Sequence, residues 1–97
     1  MVGDVTDVFR ALDDETRRLI LDELAARDGQ SLFEICTTLA MRHGVGSSRQ
    51  AISQHLAVLE EAGLVRTRRQ GRTKLHHFTP EPLAEIARRW PNREEPT

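Results

Sequence analysis

The sequence predicts a mainly α-helical domain with one β-hairpin, about five helices and two strands in all. Three observations predict it. Apolar residues recur at helical spacing in five separate segments. Two consecutive segments open on Ser-x-x-Glu and Ser-x-x-Gln, a pattern that marks helix starts. One stretch, residues 64–79, abandons that spacing for β-branched and basic residues around a glycine turn. At 97 residues the chain is one small domain, expected to span residues 2–90 with a polar tail over 91–97.

The elements follow in order. Val5, Val8, Phe9 and Leu12 form the apolar stripe of a short first helix, about 4–12. Asp13 reads as the N-cap of the second helix, whose first turn is acidic and whose stripe is Leu19, Ile20, Leu21 and Leu24. Gly29 reads as its C-terminal stop. Ser31 and Glu34 make a capping box for the third helix, with Leu32, Ile35, Cys36 and Leu39 on its apolar face and Gly44 and Gly46 closing it. Ser47 and Gln50 make a second box for the fourth helix, about 48–62, with Ile52, Leu56 and Leu59 turned inward and Gly63 as its stop. Two helices joined by a short glycine-bearing connection read as helix-turn-helix. The hairpin runs over about 64–79, with Arg69-Gln70-Gly71-Arg72 at its tip. Pro80 and Pro82 open a last helix, about 81–90, with Leu83, Ile86, Ala87 and Trp90 on one face and Pro91 as its stop. A helix-turn-helix followed at once by a hairpin is a winged helix-turn-helix, with the hairpin as its wing.

Charge is segregated along the chain. Residues 1–40 carry −5, residues 41–80 carry +5 and residues 81–97 carry −1, so the net charge is −1. A basic half inside a nearly neutral protein points to a polyanionic partner, or else to a solvated face that the acidic half complements. The chain has no apolar run of membrane-spanning length, and its N-terminus lacks the basic and apolar regions of a secretory signal. A lone cysteine, Cys36, fits a reducing compartment. Cytoplasmic localisation is the expectation, with no membrane partner.

The start of the fourth helix carries Arg49, Gln50, Ser53 and Gln54, mostly off the apolar stripe. Arginine suits guanine edges, glutamine suits adenine and serine suits either, and a recognition helix offers its N-terminal residues to the bases. These four are the expected base-reading set. The alternative is a solvated helix start whose Ser and Gln only cap. The acids of that helix, Glu60 and Glu61, lie at its far end. Ser47, Ser48, His55, Arg68, Arg69, Arg72 and Lys74 are the expected contacts to the phosphate backbone. An edge strand protected by charge is the other reading of the hairpin arginines.

No catalytic, cofactor or metal constellation emerges, and the chain is not expected to be an enzyme. His76 and His77 are neighbours on a strand and face opposite sides. His43 and His55 have no metal-ligand spacing, and the Gly-Val-Gly of residues 44–46 matches no phosphate-binding loop. Cys36 sits on an apolar stripe, where a free cysteine behaves as a small hydrophobe. Val5, Val8 and Phe9, with Leu83, Ile86 and Trp90, are apolar stripes on terminal helices that a core this small does not easily cover. They are the expected homodimer interface.

Residues 8–21, VFRALDDETRRLIL, resemble the opening of ArsR/SmtB-type transcriptional repressors. Residues 51–65, AISQHLAVLEEAGLV, followed by the arginine-rich hairpin, resemble their recognition helix and wing. The resemblance spans about residues 5–90. It implies a cytoplasmic homodimer that uses its first and last helices as the interface, binds an imperfect palindrome in double-stranded DNA and represses. Two departures stand out. The metal-sensing members' ELCVCDL motif corresponds here to Glu34-Ile35-Cys36-Thr37-Thr38-Leu39, with Thr38 at the second cysteine position, and the last helix offers Glu81 and Glu85 without a histidine. The stretch 40–46 is about five or six residues longer than the family's usual turn and brings Arg42 and His43 toward the DNA side. The motifs give no effector. Two further readings stay open: a winged-helix module that binds an acidic protein, and a repressor that senses metals or thiol reagents through Cys36.

Overall fold

A computed structural model describes residues 5–93. Residues 1–4, which include the expected start of the domain and of its first helix, and residues 94–97 of the polar tail lie outside the described residues. The order is α1 (Val5–Leu12), α2 (Glu15–Ala26), α3 (Leu32–His43), α4 (Arg49–Glu61), β1 (Val65–Gln70), β2 (Thr73–Phe78) and α5 (Glu81–Arg89). The expected helices and hairpin are present in the expected order, as a winged helix-turn-helix.

The core lies where α2, α3 and α4 meet. Ile20 and Leu24, Ile35 and Leu39, and Ile52, Leu56 and Leu59 are all buried there, with Leu64 and Val65 closing it from the base of the wing. Each such side chain contributes about 1.5–3 kcal/mol on burial. Val8 and Ala11 carry α1 into the same core, and Leu83 and Ile86 bring α5 against it.

Local signals differ from the sequence reading at three helix ends. The N-cap of α2 is Asp14, not Asp13. The Asp13 N–H still donates to the Arg10 carbonyl in the turn leaving α1, so the extended cap geometry falls on Asp14, whose carboxylate accepts from the Arg17 N–H at 3.0 Å. Gly29 does not stop α2. The Gln30 side chain does, donating from Nε2 to the carbonyls of Arg27 (2.7 Å) and Glu23 (3.2 Å). Gly29 instead turns at φ +76° beneath the His77 ring, where a Cβ would stand 3.1 Å from His77 Cε1. The second capping box is incomplete. Ser48 is the N-cap of α4 and accepts from the Ala51 N–H at 3.1 Å, and Ala51 has no side-chain oxygen to return the bond.

Other signals hold. Ser31 and Glu34 form the full reciprocal box, and Gly44 closes α3 at φ +64°. The end of α4 is a Schellman motif: the Leu64 N–H reaches the Leu59 carbonyl and the Gly63 N–H the Glu60 carbonyl, with Gly63 at φ +80°.

The wing is antiparallel, with register Val65↔Phe78 through Gln70↔Thr73, closed by Gly71 and Arg72. Gly71 takes φ +65°, the first-position requirement of a tight two-residue hairpin. A third strand contact was not legible. The α2–α3 turn pairs with β2 at Gln30↔His76, and Gly29 and Gln30 both donate to the His76 carbonyl. Buried His76 returns its N–H and its Nδ1–H to the Gln30 carbonyl. Asp28 then accepts from the Phe78 N–H (2.7 Å) and from His77 Nδ1 (2.9 Å). Despite the upward push of burial, these bonds hold the Asp28 carboxyl below its ordinary value of 3.8.

Candidate nucleic-acid interface

Helix α4 divides cleanly into two faces. Ile52, Leu56 and Leu59 anchor it inward, while Arg49, Gln50, Ser53 and Gln54 are all exposed over its first two turns. The absence of an acid in its first turn leaves the helix N-terminus electropositive. Ser47 is exposed in the lead-in, and Ser48 uses its oxygen as the cap while keeping its O–H as a donor.

Beside α4 runs an open groove of about 530 Å³, bounded by the start of α3, by α4 and by β2. Ser31, Phe33, Arg49, Ser53, Arg72 and Lys74 are among its lining side chains. Arg49 on the helix thus faces two wing cations across a channel. Glu60, toward the far end of α4, also lines this groove and accepts from the Thr67 hydroxyl at 3.4 Å. On the wing, Arg69 stands opposite Lys74, while Arg68 stands opposite Leu75 and helps line a separate hollow with His77. The four basic residues expected to act together are all exposed, but they are spread over both sides of the wing.

His55 is placed differently from the other expected phosphate contacts. It is half-buried, with Nδ1 3.2 Å from Arg17 Nη1. No sequence signal marked Arg17 as its partner, because 38 residues separate the two. Arg42 and His43 also reach a partner on α2 while remaining exposed. His43 Nε2 donates to buried Glu23 at 2.8 Å, and Arg42 lies 3.5 Å from the same carboxylate. The long 40–46 stretch therefore extends α3 and ties its end to α2.

The expected dimer residues fall into two groups. Val8 is only 2% exposed, so it belongs to its own protomer's core. Val5, Leu83 and Ile86 are half-buried. Phe9 and Trp90 are 48% and 56% exposed, on α1 and just past the end of α5, two helices that pack against each other. Trp90 caps α5 rather than lying within it, and the Arg89 guanidinium covers its ring at 4.6 Å. Cys36 packs against the core, and burial pushes its thiol above the ordinary 9.0 although Arg49 pulls the other way. Among the described residues, no three His, Cys, Asp or Glu side chains are grouped to hold a metal ion, and no helix is long and apolar enough to cross a membrane.

A helix-turn-helix domain family model matches residues 12–68, more than half the chain. YuzN of Bacillus subtilis, an HTH-type transcriptional regulator, is 43% identical over 90 residues, covering 93% of this chain and 98% of its own. An ArsR-like transcriptional regulator from Rhodococcus sp. RHA1 superposes with a TM-score of 0.70 at 40% identity, covering 88% of this chain and 74% of that one. This chain is an ArsR-type helix-turn-helix transcriptional regulator. The regulator is also similar, at 25% identity and a TM-score of 0.68, to a homodimeric winged helix-turn-helix DNA-binding domain from Mycobacterium bovis, covering 96% of this chain and 86% of that one. In the regulator the matched segment runs from the end of α1 into β1, so it takes in the whole of α4 and the first wing arginines.

Proposed function

We propose that the regulator is a homodimeric repressor that binds a palindromic operator in double-stranded DNA. The observation that carries this reading is the exposed Arg49, Gln50, Ser53 and Gln54 set beside a groove with Arg72 and Lys74 on its opposite wall. The four side chains read base edges from the major groove. The phosphate strand beside that groove runs in the channel between α4 and the wing. There Lys74 and Arg72 neutralise it and Ser47 and Ser48 offer hydroxyl donors. Arg68 and Arg69 extend the cationic surface along the wing. Phe9 and Trp90 meet their equivalents across a two-fold axis, which sets two reading helices about 34–36 Å apart, one turn of DNA.

Selection of duplexes from a random pool tests the reading. The expected result is a two-fold symmetric consensus whose binding falls steeply with salt. Gln50→Ala or Ser53→Ala then relaxes preference at particular base pairs, by roughly 1–3 kcal/mol for a good contact. Retention of acidic proteins with no duplex enriched would overturn it in favour of a protein-binding wing.

A further inference from the structure

Arg17 ties three helices together. Its Nε donates to the Ala11 carbonyl at 2.7 Å and its Nη2 to the Arg10 carbonyl at 3.1 Å, both in the last turn of α1. Its Nη1 lies 3.2 Å from Nδ1 of His55 on α4. The side chain is only 13% exposed, so this contact is shielded from water. A guanidinium has N–H donors only and keeps its proton in a protein. His55 Nδ1 must therefore offer its lone pair. That makes the ring neutral, with its hydrogen on Nε2. Nε2 makes no hydrogen bond among the described residues, so its N–H is left over as a donor. It sits next in sequence to Gln54, on the helix that meets DNA in the proposed function.

We propose that Arg17 is a positioning residue for DNA binding: it fixes His55 as a neutral Nε2–H phosphate donor and locks the recognition helix to the end of α1. Specific binding is then lost when His55 is protonated. The inference rests on the DNA-binding reading above and assigns it a part that neither the base-reading nor the wing residues supply.

The charges around His55 decide the sign. Arg17 of α2 faces it at 3.2 Å. Asp14, also on the α2 side, attracts a charged ring as well as the Arg17 guanidinium, 4.0 Å away, but forms no ion pair with the ring. From α1 the groups at this point are the Arg10 and Ala11 carbonyls, both already held by the guanidinium. Among the described residues, no ionisable group of α3 or β1 bonds the ring. Protonation at Nδ1 thus breaks the bond and sets two cations against each other in a half-buried site. A simple phosphate contact has the opposite sign, because a protonated histidine binds DNA more tightly.

The experiment follows binding of a duplex selected by the regulator itself, and of a scrambled duplex, from about pH 8 to about pH 5.5 at fixed salt, the range in which imidazoles ordinarily titrate. Affinity for the selected duplex is expected to fall about tenfold in acid, the scale of one lost charged hydrogen bond. In His55→Gln the amide oxygen accepts from Arg17 and does not titrate, so the ratio of Kd values at the two ends of the range should shrink towards one. Nitrogen NMR of the free regulator should show the Nε2–H tautomer of His55 at neutral pH, and Arg17→Gln should lose that preference. Wild-type affinity that is flat or rises in acid overturns the inference. So does a full acid loss surviving in His55→Gln, or a hydrogen found on Nδ1 in the free protein. The tautomer measurement involves no DNA, so it fails separately from the DNA-binding reading, which falls if no duplex is selected at any pH.

Discussion

Arg69 and Lys74 stand directly opposite each other across the wing. Like charges at paired positions of an antiparallel ladder weaken it by roughly 0.2–1 kcal/mol each. No acid lies within the hairpin to relieve them, and Glu60, which reaches it from α4, is engaged by Thr67. The free protein carries this repulsion, and an anion along the wing removes it.

Stability and binding should therefore respond in opposite directions at this pair. Arg69→Thr is expected to raise the Tm of the free protein slightly, since a host of this size shifts by about 4–8 °C per kcal/mol. The same substitution, or Arg72→Ala, should weaken binding to all duplexes alike and lower the salt slope by about one unit per lost phosphate contact. Salt titrations of selected and scrambled DNA check it. A change of sequence preference from the wing variants would reverse the roles given to wing and helix.

The clamp at the wing base is acid-labile. The Asp28 carboxyl is held below 3.8 in the folded state, so its contribution to stability is fully present above that value and is lost as pH falls below it. Thermal melts between about pH 6 and pH 2.5 should show part of the acid destabilisation disappearing in Asp28→Asn. That variant should also speed hydrogen exchange at the Phe78 amide, whose N–H the carboxylate accepts.

Trp90 and Val8 separate assembly from folding. Trp90 is more than half exposed in the protomer, so Trp90→Ala should shift sedimentation from dimer toward monomer with little change in the protomer's helicity. Val8→Ala removes two methyls from the protomer core instead and should cost about 2 kcal/mol of stability. A Trp90→Ala protein that stays fully dimeric overturns the proposed interface.

Cys36 should behave as a packing residue. Burial raises its thiol above 9.0, so the thiolate required for alkylation or metal ligation is scarce at neutral pH. Alkylation by iodoacetamide at neutral pH is expected to be slower than for a free cysteine. Cys36→Ser should leave DNA affinity nearly intact and cost only some stability. Stoichiometric zinc binding that Cys36→Ser abolishes, with loss of DNA affinity, would overturn this.

What the sequence made legible were the local features. The alternation of stripes at Ile35 and Leu39, and at Ile52, Leu56 and Leu59, needs only helical periodicity to be seen. The Ser31–Glu34 box and Gly63 announce their helix ends within three or four residues. The exposure of Arg49, Gln50, Ser53 and Gln54 followed from the same periodicity. The long-range partners were not legible. Gln30 closing α2, Asp28 holding Phe78 across 50 residues, and Arg17 meeting His55 are polar contacts set by how elements pack, and no spacing rule encodes them. Val8 was misplaced for the same reason, since one apolar stripe looks alike whether it faces its own core or a second copy.

The Ser48 cap and the Schellman turn at Gly63 make α4 a self-delimiting cassette. Its start and stop are hydrogen-bonded locally, and its grip on the body runs through Ile52, Leu56 and Leu59 on the inner side. Arg49, Gln50, Ser53 and Gln54 add nothing to that grip, so the four positions can be randomised together without reshaping the protein. Under the proposed function, a combinatorial library at these sites is a route to regulators with rewritten target sequences on an unchanged chassis.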